Sequence, residues 1–512
     1  MKKILFLTAS AIAMLASCSQ NDLEAPVVAE AQQSAVEFGT YVGRAATGRA
    51  GWVGEISDTE LKDNTKTSGF GVFAYYTGAT DYPNVTAAST PAPATISENS
   101  NKPNFMYNQQ VKWDGTSLWT YSPLKYWPNE FAADDVDDKG AQGATARGKV
   151  SFFAYAPYVN TASGSEGITD MSHNDAEGNP TVTYKMASTG KNVDLLWGTC
   201  PEDANGTYNI APNTTQTGGW VWGTNSSSEK ETNGKTNVNL TKQKTNATET
   251  DAEKIYFLFK HALAKVGGGS KGSGATPTSG LQIKLDPDFG ESFGAGKETV
   301  VTVKQIKISQ NTTQTSAPAY DHEKKVQGVL DLATGIWTVS GDQDNFSQTI
   351  KADASANNEA ELNPNIKDLD SFTDEVASTY WEDASGHLVD GDHKGVLTTA
   401  QPVYDENKDI KPLLYFPGET PSLDIEIEYV VRTKDKNLEL GYSVVEQKIK
   451  KNVTFSASVE MNKRYNLMII LGLTSVKFEA TVSDWTIVND AIDTDGDSTG
   501  DSADVYLPLN VE

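Results

Sequence analysis

The sequence predicts an all-β fold built from sandwiches or barrels. Three observations carry this. Short runs rich in aromatic and β-branched residues recur along the chain, turn residues bound each run, and no long segment shows a 3.6-residue apolar stripe. The 512 residues are enough for roughly two or three domains. A composition 38% hydrophobic and 21% charged is globular but polar, and 42 Gly and 20 Pro suit a chain with many turns. There is no apolar run of about 18 residues to cross a bilayer as a helix. A net charge of −26 repels phosphates, which sets aside nucleic acid and anionic membrane surfaces as partners.

The chain begins with Lys2 and Lys3, then an apolar stretch from Ile4 to Leu15 that fits the hydrophobic region of a signal peptide. Leu15-Ala16-Ser17-Cys18 follows, a set of small residues before a cysteine that resembles a bacterial lipobox. Residues 1–17 therefore read as a lipoprotein signal peptide, with a lipid such as palmitate on Cys18 anchoring the chain to a membrane. The alternative is an ordinary secretory signal with an incidental cysteine. Cys200 lies far from Cys18, so no disulfide framework is available. The polar stretch after Cys18 reads as a solvated tether.

From Val36 the pattern alternates. Val36, Phe38, Thr40 and Val42 share one face of a strand, and Glu37, Gly39 and Tyr41 the other. A small-residue loop then carries Arg44 and Arg49, two of only five arginines in the chain. Exposed loops of this kind are where proteases cut, so a trypsin-like enzyme could act at either. The alternative is a pair of solvated loop charges.

Strand-like runs continue at 71–76, 110–113, 118–121, 150–155 and 182–184. Later runs lie at 254–259, 281–285, 300–308, 335–339, 423–431, 453–457, 465–471 and 476–482. Residues 201–252 are polar apart from Trp220-Val221-Trp222 and place a boundary near 250. This gives a lipidated tether and first strand (18–50), an N-terminal domain (51–250), a C-terminal domain (251–490) and a tail (491–512). A second polar stretch, 341–400, decorates the C-terminal domain.

Several segments resemble the fimbrillin-like lipoproteins of Bacteroidales, the subunits of type V pili. They are Pro123-Leu124-Lys125-Tyr126-Trp127-Pro128, the run Val150 to Tyr158, Asp194-Leu195-Leu196-Trp197-Gly198, the run Phe259 to Val266, and Ala480 to Trp485. The resemblance implies two tandem transthyretin-like (Greek-key) β-sandwich domains with long polar loops. It also implies a route. A lipoprotein precursor reaches the outer membrane and cell surface, an arginine-specific or trypsin-like protease cuts at Arg44 or Arg49, and the strand Val36–Val42 leaves. The C-terminal strand of another subunit then fills the groove, so that subunits polymerise into a fimbrium used in adhesion.

The tail suits that route. Val505, Leu507, Leu509 and Val511 alternate with Tyr506, Pro508, Asn510 and Glu512, and the sequence shows no partner for this strand. It hangs on an acidic linker in which Asp493, Asp495, Asp497, Asp501 and Asp504 match a calcium-loop spacing. Ser498 stands where that loop wants Gly, and no amphipathic helices flank it, so a solvated linker is the better reading. A donor tail that must also be accepted by a neighbour favours a stalk subunit over a tip or anchor subunit.

No enzyme signature, cofactor or firm metal site emerges. The Gly-x-Gly-x-x-Gly run at Gly267–Gly272 lacks a following helix. His387, Asp390, Asp392 and His393 cluster in a flexible polar stretch, and His261 reads as a packed or edge histidine. Trp113, Trp119, Tyr121, Tyr126 and Trp127 could form a sugar platform, which keeps a surface glycan-binding lipoprotein as the alternative function.

Overall fold

The computed structural model describes residues 36–42, 56, 58–65, 67–78, 102–126, 149–160, 167–187, 193–199, 220–222, 240–243, 254–267, 280–286, 299–310, 325–342, 347–356, 358–368, 400–405, 413–435, 437–439, 442–472, 476–484, 505–507 and 509–511. These form strands and one short helix. In the first half they are β1 (Glu37–Val42), α1 (Asp58–Lys62), β2 (Phe70–Gly78), β3 (Met106–Trp113), β4 (Trp119–Thr120) and β5 (Lys149–Ala156). Then come β6 (Gly167–Met171), β7 (Thr181–Lys185), β8 (Leu196–Thr199), β9 (Trp220–Trp222) and β10 (Leu240–Gln243). The middle of the chain gives β11 (Lys254–His261), β12 (Ala264–Val266), β13 (Leu281–Leu285), β14 (Thr299–Gln310) and β15 (Lys325–Asp331). Next are β16 (Trp337–Asp342), β17 (Ser347–Lys351), β18 (Glu359–Glu361), β19 (Gln401–Pro402) and β20 (Leu413–Tyr415). The last are β21 (Ser422–Lys434), β22 (Tyr442–Phe455), β23 (Lys463–Leu471), β24 (Val476–Asp484), β25 (Val505–Leu507) and β26 (Leu509–Val511).

The all-β prediction holds. The first sheet runs β2-β3-β4-β1-β11-β8-β5-β10-β9, and β2 also pairs with β5. That extra pairing closes a ring of strands in which β1 lies between β4 and β11. Side chains alternate in and out along each strand. The inward set (Phe38, Phe70, Val72, Phe152, Ile255, Phe257 and Phe259 among them) fills the ring as one buried core.

The second unit packs two sheets around a larger aliphatic core. One sheet is built on β19-β13-β23-β12-β20 with β24 and β25, and the other runs β18-β17-β14-β21-β22-β26. The β21–β22 hairpin shows how sequence sets orientation. Leu423, Ile425, Ile427 and Tyr429 are buried, while the alternate Asp424, Glu426 and Glu428 face lysines of β22. Beneath it, Arg432 is buried with its guanidinium 2.5 Å from Asp368, and Thr302 donates to the same carboxylate at 2.6 Å.

The two units meet through a third core. The outer face of β2 and β5 (Phe73, Tyr75, Phe153, Tyr155) packs against a four-stranded sheet, β16-β15-β7-β6. That sheet is shared between the halves, because β7 of the first pairs with β15 of the second. The Trp197 indole N–H donates to Leu332 O, and the Trp337 indole N–H to Ala262 O. Gly335 adopts φ +68°, and a Cβ there would sit 2.5 Å from the Trp197 ring, so only glycine serves.

Three expectations need correction. The boundary near 250 puts β11 in the second unit, but β11 pairs with β1 and β8 in the first sheet. Its alternate Ile255, Phe257 and Phe259 complete the first core, and the chain crosses over only at Ala262-Leu263. The polar stretches hold strands as well. β9 and β10 lie in 201–252, and β17 and β18 in 341–400. A strand needs only alternate buried side chains, as Gln348 and Ile350 of β17 show, so a mostly polar stretch can hold one. Finally, β22 starts at Tyr442, eleven residues before the run at 453, because its first part is a solvated strand zipped to β21.

Replacing Asp368 with Ala leaves Arg432 charged and buried, which should cost about 3–5 kcal/mol. Urea unfolding of Asp368→Ala should show a lower midpoint than Thr302→Val. Equal midpoints would mean that the ion pair does not hold this sandwich.

Candidate functional site

The candidate site is the seat of β1. Val36 and Phe38 are each 1% exposed and Glu37 is exposed, as the alternation requires. Phe38 is the anchor. Its ring stacks at 6.1 Å on Phe257 and meets Tyr121 (5.4 Å), Phe152 (6.1 Å) and Phe70 (6.3 Å) edge-on. Burying Val36 and Phe38 is worth about 1.5–3 kcal/mol each.

The two flanks of β1 differ. On one side it runs parallel to β11 over its whole length, from Glu37↔Lys254 to Val42↔Phe259. On the other, it meets β4 antiparallel at a single position, Phe38↔Trp119. Parallel pairing requires a long crossover between the two strands, since such a pair cannot be joined by a hairpin. The β4 side is a flap formed by the β3–β4 hairpin and the segment to Tyr126. At its turn, the Asp114 carboxylate accepts backbone N–H bonds from Thr116, Ser117 and Leu118, and these hold its pKa down to about 2. At its far end, Val36 N–H donates to Lys125 O (2.9 Å), and the Tyr121 hydroxyl donates to Val36 O (2.9 Å). Burial pushes the Tyr121 phenol up to about 12, so it keeps its proton and remains a donor.

The tail is the second part of the site. The sequence shows it as one strand without a partner, but it is two strands, both paired within this chain. β25 lies antiparallel on β24 (Val505↔Val482 to Leu507↔Ala480). β26 lies antiparallel on β22 (Leu509↔Phe455 to Val511↔Val453). The strands flank Pro508, and a proline cannot donate to a ladder, which fits a change of sheet at that point. The partners Val453, Phe455 and Ala480 belong to the second core.

Other expected residues fall elsewhere. Cys18, Arg44, Arg49, Trp127, the acidic linker and the His387–His393 cluster lie outside the described residues, as do the side chains of Thr40, Val42 and 505–511. The aromatic platform dissolves. Trp119 and Tyr121 are buried in the first core, Trp113 packs beside them, and Tyr126 is left exposed. His261 is buried, with its Nδ1 2.6 Å from Asp194, whose carboxylate also accepts the Ile56 N–H. The sequence reading missed Asp194 as a partner. Its signal was an acid opening the apolar run Leu195-Leu196-Trp197.

No family model matches the chain. The chain is similar to the fimbrium subunit Fim1C of Phocaeicola vulgatus, with 28% identity over 183 residues, which are 36% of this chain and 38% of that protein. The match thus spans well under half of that relative. A crystal structure of a fimbrial protein from Bacteroides vulgatus aligns over 88% of this chain and 99% of that one, at 18% identity and a TM-score of 0.49. A relative that is itself a fimbrium subunit agrees with the fimbrillin-like resemblance read from the sequence segments.

Phe38→Ala should destabilise the first unit by about 3–5 kcal/mol, the range for emptying an aromatic site in a packed core. Chemical denaturation followed by tryptophan fluorescence measures it. A loss under about 1 kcal/mol would show that β1 is not anchored by this ring.

Proposed function

We propose that this protein is a fimbrial subunit, exported as a lipoprotein, that polymerises when β1 is cut away and the tail of a neighbour takes its place. The observation that carries the reading is the position of β1. It closes the first ring, yet it meets β4 at one position only and is followed directly by the segment holding Arg44 and Arg49. Its loss would leave β4 and β11 as open edges around a groove lined by Phe70, Tyr121, Phe152 and Phe257. An open edge over an apolar groove is an acceptor for strand addition.

The tail supports the donor role by its pattern. Val505, Leu507, Leu509 and Val511 repeat the spacing of Val36, Phe38, Thr40 and Val42. Four such side chains would contribute roughly 8 kcal/mol if buried, at about 2 kcal/mol each. Its pairing with β24 and β22 adds a requirement, since the tail must first leave its own unit. Two three-residue strands are a short ladder to break. A subunit that both accepts and donates makes open-ended, head-to-tail contacts and so forms a stalk. Arginine specificity in the processing protease would spare much of the folded chain. Arg432 is buried and Arg464 sits within β23.

Limited digestion with an arginine-specific protease, followed by size analysis, tests this. Trimmed protein should form oligomers, Arg44→Ala/Arg49→Ala should remain monomeric, and deletion of 505–512 should be trimmed without assembling. Trimmed full-length protein that stays monomeric at all concentrations would reject the reading.

A further inference from the structure

We infer that the outer surface of the flap is a docking site for the acidic linker, residues 493–504, of a second copy of this chain. The inference rests on the strand-exchange reading above and adds a partner surface to it.

Charge is the first argument. The linker holds five aspartates and no lysine or arginine. In a chain of net charge −26, the flap runs the other way, with Lys112 and Lys125 against one acid, Asp114. That carboxylate is engaged by the backbone of its own turn. Lys62 adds a further cation, its ammonium 5.0 Å from the Trp113 ring centroid. Glu37, the exposed acid beside the flap, would leave with β1.

Register is the second argument. If the tail lies as β1 does, with Val505 at the place of Val36, then Asp504 takes the place just before Val36. That end of β1 is the one held by Lys125 O and the Tyr121 hydroxyl. The linker must therefore enter past Lys125. Lys112 pairs with Thr120 on β4, so it lies two strands from β1, about 10 Å at ordinary strand spacing. This is close to the screening length of about 8 Å at physiological salt. The third argument is apolar. Leu118, Leu124 and Tyr126 are 51%, 54% and 46% exposed on the same flap, apolar surface open to a partner. The linker would bring Thr494, Thr499 and Ala503 against it, while its aspartates meet the lysines. Such pairing steers encounter more than it adds final affinity.

Assembly kinetics of full-length chains test this. Subunits are trimmed with an arginine-specific protease, which leaves the lysines intact, and growth is followed by light scattering at low and high salt. Lys112→Glu/Lys125→Glu should slow growth about tenfold at low salt and remove most of its salt dependence. Lys112→Gln/Lys125→Gln should give a smaller loss of the same kind. Changing the five linker aspartates to lysine should restore growth of the Glu variant. If both lysine variants grow at the parental rate, the inference fails and the strand-exchange reading stands. If the parent does not grow, both fail. If growth of the Glu variant is restored by neutralising Asp134, Asp135, Asp137 and Asp138 and not by the linker change, the chain's own acidic segment holds the flap, and the inference is wrong.

Discussion

The structure depends on one constraint: the first ring closes only through β1. Every other strand of that ring lies between residues 70 and 261, but the gap between β4 and β11 is filled by residues 37–42. The Phe38 ring is what makes the gap a packed site, because it meets four aromatic rings contributed by different parts of the sheet. A strand so placed is structurally essential. Its withdrawal would uncover apolar surface and two unpaired edges together.

Much of this was legible in the sequence. The alternation at 36–42 identified β1 and the buried partners Val36 and Phe38, because a half-buried strand leaves a period-2 trace. The same logic found the runs at 281–285 and 423–431, where alternate residues enter a core. What alternation does not report is pairing. Nothing in Lys254–His261 says that it lies parallel to β1, since parallel partners are far apart in sequence and no turn fixes their register. Antiparallel partners not joined by a tight turn are as silent, so the tail looked unpartnered and the shared sheet of β7 and β15 could not be anticipated. β17 was missed because its buried residues, Gln348 and Ile350, are only two in a mostly polar stretch.

The third core changes how the two units should be thought of. A sheet containing strands from both halves, with Trp197 and Trp337 each donating across it, makes the junction a packed interior and not a linker. β11 runs from the first ring through Ala262-Leu263 directly into β12 of the second unit. The seat of β1 and the strands β22 and β24 that pair with the tail are thus borne on one continuous scaffold.

The parallel alignment of β1 with β11 has a mechanical side. When two strands run the same way and are tugged lengthwise in opposite senses, every rung of the ladder carries load at once, as in a lap joint. Two strands peeled from one end give way rung by rung, like a zipper. Whatever segment occupies this seat in the orientation of β1 is therefore held in shear along β11, while on the β4 side one ladder position and the bonds of Val36 to Lys125 and Tyr121 hold β1.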